Sequence, residues 1–147
     1  MKLSRRTALA GLLLAGLPAK TFAAAIPVTL YKAPDCSCCE GYAAYLKQNG
    51  FDVTVTPTND LAEISRKAGV PAEYQGCHTA FIEGYVVDGH VPVAAIRKLL
   101  AERPAIAGIT LPGMPMGSPG MAGEKTEAFT VYAVTKNGAA PAVYVTL

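Results

Sequence analysis

The sequence has no apolar run long enough to cross a membrane, and its longest such run lies near the N-terminus. A bilayer-spanning helix needs about 20 apolar residues, and the run over residues 8–17 is about half that length. Basic residues precede the run (Lys2, Arg5 and Arg6), and small residues follow it. This three-part pattern is typical of a secretory signal peptide. We therefore predict a signal peptide over residues 1–25, a periplasmic location, and no membrane insertion of the mature form.

Two export routes fit this segment. The pair Arg5-Arg6 resembles a twin-arginine signal, but the residues after it lack the bulky apolar and lysine positions that are usual there, so the general secretory route stays open. The alternative, a short N-terminal helix of the folded domain, is disfavoured because an all-apolar helix has no polar face to present to water.

Positive charge is scarce once the predicted signal peptide is removed. Residues 1–25 carry four of the thirteen basic residues, so the remaining 122 residues hold nine basic and eleven acidic residues, a net charge of −2. A chain of this length forms one domain. It has no block of lysine and arginine to neutralise phosphates, so the sequence does not support nucleic-acid binding.

Strand and helix patterns alternate through the first two thirds of the mature chain. The predicted strands are Val28–Tyr31, Phe51–Thr56, Thr79–Ile82 and Tyr85–Val87, and the predicted helices are Glu40–Asn49, a segment from Asn59 or Asp60 to Lys67, and Val93–Glu102. Parallel strands joined through a helix need helices that cover the sheet. We therefore predict an α/β, thioredoxin-like domain over residues 26–111, with a mixed four-stranded sheet flanked by helices.

The remaining residues have a different character. Residues 112–124 contain four glycines, three prolines and three methionines without apolar periodicity, which indicates a loop. Two apolar segments follow, Phe129–Thr135 and Ala142–Thr146, on either side of Asn137-Gly138. This pattern predicts a C-terminal β-hairpin extension over residues 125–147.

Three of the four cysteines lie within four positions. Cys36, Cys38 and Cys39 follow the first predicted strand and precede the first long helix. Cys36 and Cys39 form a C-x-x-C pair at a predicted helix N-terminus, where free N–H groups and the helix dipole favour thiolate. A redox pair does not need Cys38. Thiolates packed this closely suit a soft ion that accepts bridging sulfur, which favours Cu(I) in a site that holds one or more ions.

Other soft or borderline ligands lie further along the chain. Both histidines fall within fourteen residues of the fourth cysteine, and thioethers bind Cu(I) but have little affinity for hard ions. These further candidate ligands are Cys77, His78, His90, Met114, Met116 and Met121.

Each feature also has an alternative interpretation. Four cysteines in an oxidising compartment can form two structural disulfides in three pairings, although the adjacency of Cys38 and Cys39 makes this geometrically unfavourable. Either histidine can be an ordinary surface or hydrogen-bonded residue, and the methionines can serve in packing. A thiol–disulfide oxidoreductase using Cys36 and Cys39 is a second functional class. A disulfide-stabilised binding module without metal is a third.

Three segments carry a family resemblance. VTLYKAPDCSCCEGY, GVPAEYQGCHTAFIEGYVVDGHVP and ITLPGMPMGSPGM resemble, in order and spacing, the signature blocks of a domain-of-unknown-function family that includes the CopG-type copper-resistance proteins of bacterial periplasms. The resemblance spans about residues 27–123. The chain departs from it at Tyr42, where many members carry tryptophan, and in the tail from Glu124 onward.

The resemblance implies a thioredoxin-like fold that binds copper and acts in copper resistance, together with a role in changing the oxidation state of copper. A periplasmic copper chaperone or efflux protein is the partner we expect from it. It assigns ligand roles to Cys36, Cys38, Cys39, Cys77 and His90, and less directly to His78 and the three methionines. No catalytic residue is predicted.

Overall fold

The computed structural model describes residues 24–147. Nearly all of the predicted signal peptide, residues 1–23, lies outside the described residues. Within residues 24–147, no helix is both long and apolar enough to span a bilayer.

Within the described range, seven strands form one mixed sheet. They are β1 (Ile26–Lys32), β2 (Phe51–Pro57), β3 (His78–Ile82), β4 (Tyr85–Gly89), β5 (Gly108–Leu111), β6 (Thr130–Val134) and β7 (Ala142–Thr146). Their order across the sheet is β2-β1-β3-β4-β5-β6-β7. The β1–β2 and β4–β5 pairs are parallel, and the other neighbouring pairs are antiparallel.

Three α-helices and one 3₁₀ turn connect the strands of the described part. They are α1 (Ser37–Gln48), α2 (Leu61–Lys67), α3 (Val93–Glu102) and the 3₁₀ helix Ala72–Tyr74. The buried positions of α1, Cys39, Tyr42, Ala43 and Leu46, follow the spacing of one helical face. Gly50, with φ +88°, ends the helix because its left-handed backbone conformation is one that glycine adopts without strain.

Both faces of the sheet are covered. The larger apolar cluster includes Leu46 of α1 and Ile96 of α3 packed on strand residues such as Val87. The neighbouring Val86 belongs instead to a smaller cluster with Val70, which follows α2. Consecutive strand residues point to opposite faces, so the two helix layers lie on opposite sides of the sheet. The prediction of a mixed α/β domain is therefore confirmed.

The predicted size of the sheet is wrong. The four predicted strands are present and adjacent, in the order β2-β1-β3-β4, but three more continue the same sheet. β5 is only four residues long, so the alternation of Ile109, Thr110 and Leu111 is too short to distinguish a strand from a loop by its pattern, and all four residues are buried. Its pairing with β6 makes the predicted C-terminal hairpin part of the main sheet.

The start of the first helix also differs from the prediction. The helix begins at Ser37 rather than Glu40, with Cys36 as its N-cap residue. Cys38 and Cys39 therefore lie in the first helical turn and not in the preceding loop.

The burial of the C-terminal hairpin predicts unequal effects of the same substitution at two of its positions. Val131 of β6 is fully buried and Val143 of β7 is 60% exposed. Val131→Ala should lower the free energy of unfolding by about 2 kcal/mol, since two buried methyl groups are lost and a cavity remains. Val143→Ala, the matched control, should change it by less than about 0.5 kcal/mol. Urea unfolding of the two variants measures the difference. Equal effects would mean that the hairpin does not share the main core.

Candidate metal centre

Three parts of the chain bring the candidate ligands together. The first turn of α1 carries the three clustered cysteines, the loop before β3 carries Cys77, and the turn after β4 carries His90. The antiparallel register of β1 and β3 pairs Lys32 with His78. Because Lys32 ends β1 and His78 begins β3, this pairing sets Cys77 against the start of α1.

The four sulfur atoms form a tight group. All four Sγ atoms lie within 4.8 Å of one another. Cys36 and Cys39 are joined in a disulfide with a Cα–Cα distance of 5.4 Å, whereas Cys38 and Cys77 are free thiols. The Cys77 sulfur lies 3.5 Å from that of Cys39 and 3.7 Å from that of Cys38, which is in turn 3.5 Å from that of Cys36.

Two histidine rings adjoin the sulfur group on the side of Cys77. The Cys77 Sγ lies 3.1 Å from His90 Nε2 and 3.4 Å from His78 Nδ1. Both rings are fully buried and meet edge to face, with centroids 4.8 Å apart. His78 Nε2 is buried without a hydrogen-bond partner among the described residues. Cys77 thus belongs both to a four-sulfur group and to a group with two imidazoles.

Burial favours the neutral forms of Cys77, His78 and His90. It lowers the pKa of His78 to about 3, with the neighbouring His90 ring as a second cause. It also lowers the pKa of His90, against the effect of a hydrogen bond to the Pro119 carbonyl. Burial and then the nearby Cys38 sulfur raise the pKa of Cys77 to about 12. The electrostatic environment therefore favours thiol and neutral imidazole until a cation replaces the thiol proton.

Tyr42 packs beneath both rings. Its own ring lies 4.3 Å from that of His78 and 5.5 Å from that of His90, measured between centroids. Its hydroxyl donates to the Val91 carbonyl at 2.8 Å, next to His90. Tyr42 is also the position at which the chain departs from the family pattern. In the structure, it connects α1 to the turn that carries His90.

Lys32 is a residue of the centre that the sequence analysis missed. Its side chain is almost fully buried, and its ammonium donates to the carbonyls of Ala33 and Pro34 at 3.2 and 3.0 Å and pairs with Glu40 at 3.0 Å. These contacts hold the segment that leads into Cys36. The period-two pattern of β1 contained the signal, because Lys32 lies on the same inward face as Val28 and Leu30.

Asp88 holds the second loop in a similar way. The carboxylate is fully buried, accepts a hydrogen bond from the Gly76 amide and another from the Thr79 hydroxyl at 2.7 Å, and so supports the loop around Cys77. Burial raises its pKa to about 6, although both hydrogen bonds act in the opposite direction. The local sequence pattern indicates a solvated surface position for Asp88, which is wrong, because strand register, which such a pattern does not show, gives the residue buried partners.

The loop over residues 112–124 reaches the centre through its backbone. The Pro119 carbonyl lies 2.6 Å from His90 Nδ1. The side chains of Met114 and Met116 are 41% and 61% exposed, and the tip of Met116 lies near Gly123. A ligand role for the three methionines stays a prediction, as does the ligand role of each cysteine and histidine that the fold brings together.

This mixed α/β domain brings four cysteines, of which Cys39 is buried and the others are half-buried, next to two buried histidines. Those residues make it a small protein whose candidate centre is a soft-metal site. The profile of a family described as "Protein of unknown function, DUF411" matches residues 74–121. No curated protein matches the chain.

Two solved structures are similar over most of the chain. They are titled "Copper resistance protein copG", Form 2 and Form 1, and each is 36% identical over 84% of this chain and 98% of the solved chain, with TM-scores of 0.77 and 0.76. The chain therefore belongs to the CopG-type copper-resistance family, as its sequence blocks predicted.

The contacts of Tyr42 predict a measurable role for its hydroxyl group. Tyr42→Phe should lower the free energy of unfolding by about 1–3 kcal/mol, because the buried Val91 carbonyl loses its donor. Tyr31→Phe is the matched control, since that half-buried hydroxyl has no hydrogen bond among the described residues. Urea unfolding of the reduced, metal-free protein measures both changes. Equal losses in the two variants would contradict a specific role for the Tyr42 hydroxyl.

Proposed function

We propose that this protein is a periplasmic copper-binding protein of copper resistance that holds Cu(I) in its cysteine–histidine centre. The observation that carries the proposal is the convergence of four cysteine sulfurs and two imidazoles from three separate parts of the chain. Membership of the CopG-type family supports copper as the metal.

The spacing of the sulfur atoms fits a shared metal ion. With metal–sulfur bonds of about 2.3 Å, two sulfurs in a tetrahedral site lie roughly 3.8 Å apart. The spacings of Cys77 to Cys38 and to Cys39, 3.7 and 3.5 Å, are close to this value. Burial of the imidazoles and partial burial of the thiols favour a monovalent soft ion over a divalent one. A monovalent ion costs less to transfer out of water because it carries less charge.

Cys77 supports a site with more than one ion. Its sulfur is the atom common to the four-sulfur group and to the group with His78 and His90. A thiolate can bridge two Cu(I) ions, one in each group. We therefore propose a multinuclear centre, in which Cys77 is the bridging ligand.

The Cys36–Cys39 disulfide supports a change in copper oxidation state. A cysteine sulfur can either bind a metal as a thiolate or take part in a disulfide. Cys36 and Cys39 would therefore bind metal only when their disulfide is reduced. Oxidation of the two thiolates to one disulfide releases two electrons, which is enough to reduce two Cu(II) ions to Cu(I). Reduction by an external thiol would restore the ligands.

Location and partner follow as parts of the same proposal. The three-part pattern of residues 1–25 supports export to the periplasm, where a copper chaperone or an efflux protein would deliver or receive the metal. The strand order β2-β1-β3-β4, with a parallel β1–β2 pair and α1 between them, supports a thioredoxin-like relationship for that part of the sheet.

The disulfide also favours a second candidate function. A C-x-x-C disulfide at a helix N-terminus is the reactive group of thiol–disulfide oxidoreductases. Here the loop facing it carries Cys77 within 3.5 Å of Cys39, rather than a proline for substrate docking. A third sulfur at that position interferes with a simple two-cysteine cycle and suits a metal.

Cysteine substitution separates the two functions. Cys38→Ser removes a proposed ligand and leaves the C-x-x-C pair intact, so Cu(I) affinity should fall by at least about 10-fold. Losing a residue that only hydrogen-bonds to a metal ligand already costs about 10- to 100-fold in affinity, and losing a ligand should cost no less. Competition with a chromophoric Cu(I) chelator measures the affinity, and elemental analysis measures the stoichiometry.

Ser37→Ala is the matched control, since Ser37 is exposed beside Cys38 and is not a proposed ligand. It should bind copper as the wild type does. Unchanged copper binding in Cys38→Ser would overturn Cys38 as a ligand. Disulfide-reductase activity, kept in Cys38→Ser, in a wild type that binds no Cu(I) would support the oxidoreductase and overturn the copper proposal.

A further inference from the structure

We propose that the Pro119–Gly120 turn is a positioning device for the candidate metal centre, with its carbonyl holding His90 as the Nδ1–H tautomer and its glycine docking the turn on the first turns of α1. The expected effect of this turn on Cu(I) affinity rests on the proposed function, whereas the tautomer of His90 and the docking of the turn on α1 are independent of it.

The hydrogen bond defines the tautomer. The Pro119 carbonyl oxygen lies 2.6 Å from His90 Nδ1, and a carbonyl can only accept, so Nδ1 carries the proton. In a neutral imidazole the other nitrogen is then an acceptor. That nitrogen, Nε2, lies 3.1 Å from the Cys77 sulfur. The turn therefore directs the Nε2 lone pair of His90 toward the sulfur group, which is the orientation that a metal-binding histidine needs.

Glycine at position 120 allows the turn to approach the helix. Gly120 has φ +84°, and a Cβ added there would lie 2.5 Å from the Tyr42 amide nitrogen and 2.8 Å from the Cys38 carbonyl oxygen. Gly41 faces it, since a Cβ added there would lie 3.0 Å from the Gly120 carbonyl oxygen. Backbone thus packs directly on backbone beside Cys38. Neither position has room for a side chain unless the turn moves.

Local hydrogen bonds make the turn rigid enough to act this way. The Ser118 side chain is 1% exposed, and its hydroxyl donates to the Pro115 carbonyl at 2.6 Å. The Ser118 amide donates to the same carbonyl at 3.1 Å, and the Met121 amide donates to the Ser118 carbonyl at 2.9 Å. The position of the Pro119 carbonyl is therefore determined by the turn itself and by its contact with α1.

This device uses main-chain atoms of the methionine-rich loop. A carbonyl and a glycine connect the loop to His90 and to α1, whereas two of its methionine side chains are largely exposed. The loop can therefore control the geometry of the centre whether or not a thioether binds copper.

The test compares Gly120→Ala with Gly113→Ala. Gly113 lies in the same loop with a similar φ of +81°, but a Cβ added there would meet nothing within 4 Å. Both substitutions carry the same backbone strain, and only the first forces the turn away from the helix. The readouts are the tautomer of His90 in the reduced, metal-free protein, from ring-nitrogen NMR shifts, and the Cu(I) affinity from chelator competition.

We expect wild type and Gly113→Ala to show His90 protonated at Nδ1 and to bind copper equally well. In Gly120→Ala, His90 should lose the single Nδ1–H tautomer and the affinity should fall about 10- to 100-fold, the usual cost of removing an outer-shell partner. His90 protonated at Nε2 in the wild type would overturn the proposal even if Gly120→Ala fails to fold. Equal changes in the two variants would also overturn it.

The two readouts separate this inference from the proposed function. If the wild type binds no copper but the tautomer and its dependence on Gly120 are as expected, the positioning of His90 stands and the copper function fails. If copper binds tightly and Gly120→Ala changes neither the tautomer nor the affinity, the copper function stands and the positioning device fails.

Discussion

The antiparallel pairing of β1 with β3 is the constraint on which the rest of the centre depends. It places the last residue of β1 opposite the first residue of β3. The segment that leads from β1 into α1 and the segment that leads from Cys77 into β3 therefore meet at the same end of the sheet. The sulfurs of Cys39 and Cys77, which are 38 residues apart in sequence, thereby come within 3.5 Å of each other. A one-residue shift in that register would turn His78 to the other face and separate the sulfurs.

Buried polar contacts maintain this arrangement on each side. Lys32 donates to the carbonyls of the segment before Cys36, and Asp88 accepts from the backbone and side chain around Cys77. Buried charges are costly unless they are paired, so these two groups also determine which loop conformations are acceptable. Burial between them favours the neutral forms of Cys77 and of both histidines. A monovalent soft cation that replaces a thiol proton would leave the net charge of the centre unchanged.

Within the CopG-type family, the chain combines a disulfide-bonded cysteine pair, Cys36 and Cys39, with two cysteines outside that pair. Cys38 and Cys77 are free in the disulfide form, and all four are proposed ligands. We propose that this division lets the centre retain part of its ligand set through a redox change. The loop over residues 112–124 would then hold His90 through its backbone in both states.

Residue types and their spacing were enough to predict the kind of chemistry. Cysteine spacing indicated a soft-metal site, the period-two and helical patterns located most elements, and the family blocks identified the relatives. The fifth strand, whose four residues are too few for a recognisable pattern, was decided by packing in the folded chain. The partners of Lys32 and Asp88 were decided by strand register. Tertiary structure also decided that a proline carbonyl meets His90. Local patterns report which way side chains face, whereas the direction of a main-chain carbonyl in a loop depends on packing between segments that are far apart in the chain.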